Sequence, residues 1–258
     1  MRKVTNENYF DKETNKEYMS ASQFKDFLKC PSCAMAKLNE EYEQEKTTSL
    51  LVGSYVDAYY EGTLDKFKEE NPEILKKDGT LKAEYVKADK IIERLSRDKM
   101  FSKYMSGKKQ VILTGTILEI PFKIKIDSFH EHKAIVDLKI MKDMLPVWNG
   151  HEKVNFVEYY GYDIQLAIYQ EIVYQNTGEK LPCFLCVGTK ETTTDLAILE
   201  VDNERLDFVM ENIIKPNLPR FKEIKEGKQE PEKCGHCQYC VENKVINRII
   251  NYKDLDLV

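Results

Sequence analysis

The chain has 258 residues, 42% hydrophobic and 32% charged, with seven cysteines and a formal net charge of −5. This is an ordinary globular composition with room for one substantial core, and the acidic balance argues against a broadly basic surface while leaving space for a local basic groove. No apolar run approaches the roughly 20 residues that span a bilayer, and MRKVTNENYFDKETNKEYMS lacks the apolar core of a signal peptide, so a cytoplasmic location is expected.

In chain order, residues 20 to 30 (SASQFKDFLKC) predict a helix capped by Ser20, with Phe24, Phe27 and Leu28 on one face. Residues 49 to 61 predict a second, mostly buried helix. Residues 63 to 107 are charged and helical in rhythm, interrupted near Asn71-Pro72 and Asp78-Gly79, and read as a helical insertion or lid. Residues 110 to 119, 121 to 128 and 133 to 140 are rich in β-branched residues and separated by short gaps, which predicts an antiparallel meander. An amphipathic helix over 162 to 175 stops near Gly178. Strands at about 181 to 188 and 195 to 201 follow, then a long helix from about 203 to 226. The order implies one α/β (α+β) domain over residues 1 to 258, a central mixed sheet flanked by helices.

Asp137 and Lys139 stand two apart in AIVDLKI, so both face one side of a strand and Leu138 faces the other. A charged pair among Ala134, Ile135, Val136 and Ile140 is costly to bury without a partner or a cation. Asp127 lies in the preceding strand, FKIKIDSF, and a hairpin symmetric about His132 sets it opposite Asp137. Two carboxylates that close repel each other unless a divalent cation joins them. Phosphodiester hydrolysis gives such a site a purpose, because Mg²⁺ or Mn²⁺ on carboxylates supplies a hydroxide and neutralises developing charge. A nearby ammonium would orient the attacking water. Taken alone, D-x-K in a strand reads better as a surface hairpin with an Asp–Lys salt bridge.

The segments SASQFKDFLKCP, VGSYVDAYYEG, IKIDSF, AIVDLK and YDIQLAIY occur in the order seen in RecB-like PD-(D/E)XK nucleases. Outside residues 63 to 107 the chain resembles that superfamily, and most of all its phage exodeoxyribonuclease VIII-like group. The resemblance implies a restriction-endonuclease-like core and a metal-dependent deoxyribonuclease, expected to be an exonuclease of DNA recombination or repair. It makes Asp127 and Asp137 metal ligands, adds the Leu138 carbonyl as a third contact, and makes Lys139 the catalytic lysine. Gln165 and Tyr169 fall on the group's Q-x-x-x-Y element, i and i+4 on one helix face, where they support the site or touch a DNA phosphate. Many relatives carry a histidine ligand on the helix before the meander. Asp57 takes that place here, with Glu61 one turn later as its substitute, and an oxygen ligand suits Mg²⁺. The resemblance further implies a single-strand annealing protein as partner and a homo-oligomer. Two rivals are a non-catalytic DNA-binding module and a restriction-like endonuclease.

The clustered cysteines of a cytosolic chain suggest metal before disulfides. Cys234, Cys237 and Cys240 form C-x-x-C-x-x-C, the ferredoxin-type triplet that needs a fourth ligand. Cys30, at a Cys-Pro step, matches the remote ligand of iron–sulfur members of the resembled group, so a 4Fe–4S cluster on Cys30, Cys234, Cys237 and Cys240 is expected. The alternative is Zn²⁺ on Cys30-x-x-Cys33 and Cys234-x-x-Cys237, with His236 a lesser candidate. Either would form a C-terminal clasp at about residues 230 to 242. Cys183 and Cys186, in an apolar run, read as core, and His130, His132 and His151 as turn residues. Trp148, with Pro146, reads as the start of a loop over the site.

Overall fold

Alternating apolar residues between Lys108 and Met141 fold as three antiparallel strands, β1 (Lys108–Ile117), β2 (Ile120–His130) and β3 (Ala134–Met141). The computed structural model describes residues 2–246 and 249–253. A small hairpin follows, β4 (Val147–Trp148) with β5 (Lys153–Val154), and then β6 (Cys183–Thr189) and β7 (Leu196–Val201). β6 runs parallel to β3 and β7 antiparallel to β6, giving a mixed five-stranded sheet of order β1-β2-β3-β6-β7. A parallel neighbour requires a long crossover, and a helix between β3 and β6 supplies it. The arrangement is the mixed, helix-flanked α/β core expected from the sequence.

The helices before the sheet are α1 (Lys12–Glu17), α2 (Ala21–Lys29), α3 (Pro31–Leu38), α4 (Thr48–Glu61), α5 (Leu64–Glu70), α6 (Ala83–Arg97) and α7 (Lys99–Tyr104). After β5 come α8 (Phe156–Tyr159) and the crossover helix α9 (Tyr162–Thr177); after β7 come α10 (Asn203–Val209), α11 (Lys215–Lys225) and α12 (Gln238–Glu242). Ser20 caps α2 as expected, its hydroxyl accepting from the Gln23 N–H. Phe24 and Phe27 of α2 are fully buried, but Leu28 is turned outward.

Each sheet face buries its own apolar cluster. One joins Phe24, Phe27, Ile124, Ile126, Ile135, Ile168, Ile172 and Phe221 across α2, α9 and α11. The other joins Val52, Tyr55, Val56, Ile91, Leu95, Phe101, Val136 and Leu138 across α4, α6 and α7. Each such side chain withdrawn from water contributes roughly 1.5–3 kcal/mol before chain entropy is charged against it. The segment 63 to 107 therefore covers one sheet face with core residues rather than standing off as a lid. Alternation in β3 sends Ile135 toward α9 and Val136 and Leu138 toward α4. Asp137 and Lys139, in phase with Ile135, face the α9 side.

The expected helix over 203 to 226 is interrupted by a wide π-turn at Met210–Ile214. Pro216 follows within the first turn of α11 and has no N–H to donate, and such a residue inside a continuous helix widens or kinks it.

Candidate active site

The hairpin register is the one expected from symmetry about His132: Ser128 pairs with Val136, Phe129 with Ile135 and His130 with Ala134. His132 sits in the turn with φ 60°. The pairing stops one step before Asp127 and Asp137. There the Leu138 N–H donates to Asp127 Oδ2 at 2.9 Å, a side chain taking the place of a strand carbonyl. On the other edge of β2, pairing with β1 skips Gln110, whose φ is 52°. Its amide donates to Asp127 Oδ1 at 3.4 Å. A left-handed non-glycine residue beside a carboxylate is the kind of local strain that collects at functional sites. Nothing in the sequence marks Gln110.

Asp137 is 1% exposed. Its Oδ1 accepts from Gln165 Nε2 at 2.7 Å. Its Oδ2 is in ion-pair contact with the Lys139 ammonium and has no further hydrogen-bond partner among the described residues. A buried carboxylate oxygen whose one partner is an ammonium keeps a lone pair free for a cation. Burial, with the Asp137 charge next to it, pushes Asp127 up to about 7. Asp57, on α4, is driven well above the usual carboxylate range by burial and then by Asp127. For Lys139, burial alone would lower the pKa, but Asp137 and Asp127 outweigh it and hold the ammonium charged.

Asp57, Glu61, Asp127, Gln110 and Leu138 line a small cavity of about 10 Å³, roughly the space of one water molecule or small ion. The oxygens of Asp57, Asp127 and Asp137 do not all lie within 4.8 Å of one another; among the described residues only four cysteines are gathered that closely. Protein donors hold the carboxylates instead: the Leu138 N–H on Asp127, Lys139 and Gln165 on Asp137. The residues fit a hard divalent cation on two counts: an all-oxygen donor set and mutual repulsion between buried carboxylates that a cation would relieve.

Gln165 and Tyr169 lie where the sequence put them, on the α9 face toward β3. Gln165 Nε2 also donates to the Tyr169 hydroxyl at 3.2 Å, and that hydroxyl donates to the Lys125 carbonyl at 2.9 Å. The chain Asp137–Gln165–Tyr169–Lys125 ties β3 to β2 through α9. Two neighbours have no sequence signal. The Lys139 ammonium lies 5.1 Å from the Tyr162 ring centroid, and the Lys25 ammonium 5.4 Å from the same ring. Lys25 is lowered to about 8, first by burial and then by Lys139.

At the far end of α2 the thiol sulfurs of Cys30, Cys234, Cys237 and Cys240 lie within 4.8 Å of one another. Cys30 Sγ is 3.5 Å from Cys240 Sγ, and Cys234 Sγ is 3.9 Å from Cys240 Sγ. The Cys33 N–H points at Cys30 Sγ (3.4 Å) and the Cys237 N–H at Cys234 Sγ (3.3 Å), stabilising thiolate charge. Cys33 and His236 are outside the group. The zinc set expected from two C-x-x-C pairs is thus corrected: Cys240 stands where Cys33 was expected. Cys183 and Cys186 are fully buried core residues. His130 lies in β2 against the Tyr104 carbonyl (2.7 Å), not in a turn, and His132 pairs with Glu179 (2.9 Å). Trp148 is exposed in β4.

A family model described as a PDDEXK-like domain of unknown function (DUF3799) matches residues 20–243, which contain Asp57, both strand aspartates, Lys139, the Gln165–Tyr169 pair and all four clustered cysteines. The crystal structure of a "Putative exonuclease" from Eubacterium rectale is 47% identical over 99% of this chain and 98% of that one, with a TM-score of 0.94. A second solved structure, of SSO0001, is 13% identical over 77% of this chain and 86% of that one; its TM-score of 0.28 carries no argument. No curated protein matches the chain. No described helix is long and apolar enough to cross a membrane. The chain belongs to the PDDEXK-like family DUF3799, as its resemblance to PD-(D/E)XK proteins implied.

Proposed function

We propose that the protein is a Mg²⁺- or Mn²⁺-dependent deoxyribonuclease, acting as an exonuclease on phosphodiester bonds. The observation that carries this reading is the buried Asp137, ion-paired to Lys139 and next to Asp127 on a neighbouring strand. Asp57, Asp127, Asp137 and the Leu138 carbonyl would hold the cation. When bound, it supplies charge neutralisation and a more acidic water. Gln165 fixes the orientation of Asp137, and Tyr169 fixes Gln165. Lys139, kept protonated by its two carboxylate neighbours, places positive charge where the phosphate develops negative charge and orients the attacking water. The name of the 47% identical Eubacterium rectale protein supports exonuclease chemistry. We treat residues 1–258 as one nuclease-like domain with a helical insertion at about 63–107 and a cysteine clasp at about 230–242. A single-strand annealing partner and a homo-oligomer belong to the proposal only through the resemblance.

Incubation with linear and closed-circular DNA plus Mn²⁺ tests the activity. Loss of linear DNA alone is the expected result; loss of both would make it an endonuclease, and loss of neither would leave a DNA-binding module. Asp127→Ala, Asp137→Ala and Lys139→Ala should each abolish cleavage without unfolding the chain, and near-wild-type activity in any one of them would remove that residue from the site.

For the cysteine centre we propose a single Zn²⁺ over the 4Fe–4S cluster. A tetrahedron of thiolates about 2.3 Å from one ion has edges of about 3.8 Å, close to the 3.5 and 3.9 Å separations here. A four-iron cluster places an iron behind each thiolate and needs the sulfurs further apart. One zinc per chain and no visible absorbance are expected; a brown protein with iron would restore the cluster.

A further inference from the structure

Beside the cation cavity opens a cleft of about 700 Å³ that shares Asp57, Glu61 and Gln110 with it. Its rim carries Phe10 and Lys125. Phe10 is 73% exposed. A lone exposed aromatic is unremarkable on most surfaces, but the backbone beneath this one is fastened. Lys123, 1% exposed in β2, donates to the Tyr9 carbonyl and, at 2.7 Å, to Asn15 Oδ1. Its ammonium also lies 4.6 Å from the buried Tyr9 ring. Burying an ammonium costs several kcal/mol unless its donors are used, and this one is used to hold the residue just before Phe10. The Met19 N–H, donating to the Pro121 carbonyl at 2.8 Å, attaches the same segment to β2 again. An apolar ring is thereby held out into solvent on a rigid support.

Lys125 lies two residues before Asp127, on the same face of β2. Its ammonium is 5.4 Å from the Phe10 ring centroid. Among the described residues no carboxylate lies within 4 Å of it. Two residues of strand span about 7 Å, comparable to two 3.4 Å nucleotide steps. An aromatic face beside a cation with no carboxylate partner, two such steps from the proposed ligand Asp127, has the composition of a single-strand track.

We infer that Phe10 and Lys125 form a binding step for single-stranded DNA, Phe10 stacking on an unpaired base and Lys125 contacting its phosphate as the strand enters the cation site. The inference rests on the nuclease reading and narrows its substrate to an unpaired strand or frayed end.

The test compares wild type, Phe10→Ala, Phe10→Trp and Lys125→Met, using a fluorescent single-stranded oligodeoxynucleotide and a blunt duplex of the same sequence. Binding is read without divalent metal, and cleavage with Mn²⁺. Phe10→Ala should weaken single-strand binding about tenfold, as loss of one stacked base does, with a smaller loss on the duplex, and Phe10→Trp should restore it. Lys125→Met should reduce the slope of log affinity against log salt by about 0.7, the share of one single-strand phosphate. In cleavage, the loss of kcat/KM in Phe10→Ala should be about tenfold greater on single strands than on duplex. Equal losses on both substrates, or none on single strands, would overturn the inference while active wild type left the nuclease reading intact. A wild type that neither binds nor cuts DNA would overturn both.

Discussion

Asp127 shows at the scale of one residue how the site is poised. It is pushed up to about 7 from an ordinary 3.8, by burial first and by Asp137 second. Between those values the folded chain binds a proton that the unfolded chain has released. Its stabilising contribution is complete below about 4 and is lost as pH rises through about 7. Without added Mg²⁺ or Mn²⁺, the melting temperature should therefore decline from pH 5 to pH 8, and Asp127→Asn should decline less. An equal decline in both proteins would mean that Asp127 is not the strained group. Divalent cation has the opposite dependence, because it competes with the same proton. Mn²⁺ affinity, measured by calorimetry, should weaken as pH falls below about 7.

The elements position these residues, and they differ in how legible they were. The hairpin register could be read from the sequence because a tight turn at His132 leaves only one symmetric pairing for IKIDSF and AIVDLK. The α9 face could be read because i and i+4 place Gln165 and Tyr169 together whatever they pack against. Helix α3 was not read, because Pro31 looks like the end of the helix before it. In fact Cys30 both ends α2 and caps α3, with proline at the first helical position, where its missing N–H costs nothing. The kink at Gln110 and the approach of Lys25 and Lys139 to Tyr162 depend on contacts between distant segments that no local pattern encodes. Gln165 is the point where α9 acts on β3. Gln165→Ala would leave Asp137 Oδ1 without its donor and free to rotate, and loss of such a supporting contact typically costs 10–100-fold in metal affinity or activity. Tyr169→Phe removes two hydrogen bonds, the one its hydroxyl donates to the Lys125 carbonyl and the one it accepts from Gln165, with a net cost of about 2 kcal/mol in stability. A Gln165→Ala enzyme within twofold of wild type in Mn²⁺-supported cleavage would show that Asp137 needs no such support.

At the scale of the whole molecule, the cysteine group joins the start of α3 to the tail beyond α11. Cys30 is 1% exposed and Cys240 3% exposed, and the Ser32 N–H donates to the Glu232 carbonyl at 3.1 Å beside them. Phe24 meets Phe221 edge to face and Phe27 stacks on it, each at 5.3 Å between ring centroids, so α2 and α11 already meet in the core. A metal that links Cys30 to Cys234 closes a loop of about two hundred residues containing every strand of the sheet. The chain-entropy treatment of a covalent cross-link of that length gives a ceiling of about 5 kcal/mol, which for a chain of this size corresponds to roughly 10–20 °C in melting temperature. The clasp lies outside the cation site, so its loss should act on stability rather than on chemistry. Cys240→Ser should release the metal and lower the melting temperature by several degrees or more, while cleavage measured well below that temperature persists. An unchanged melting temperature with the metal retained would show that Cys240 is not a ligand. Metal loss with cleavage abolished at a temperature where the chain remains folded would move the centre from a structural clasp to a part of the catalytic site.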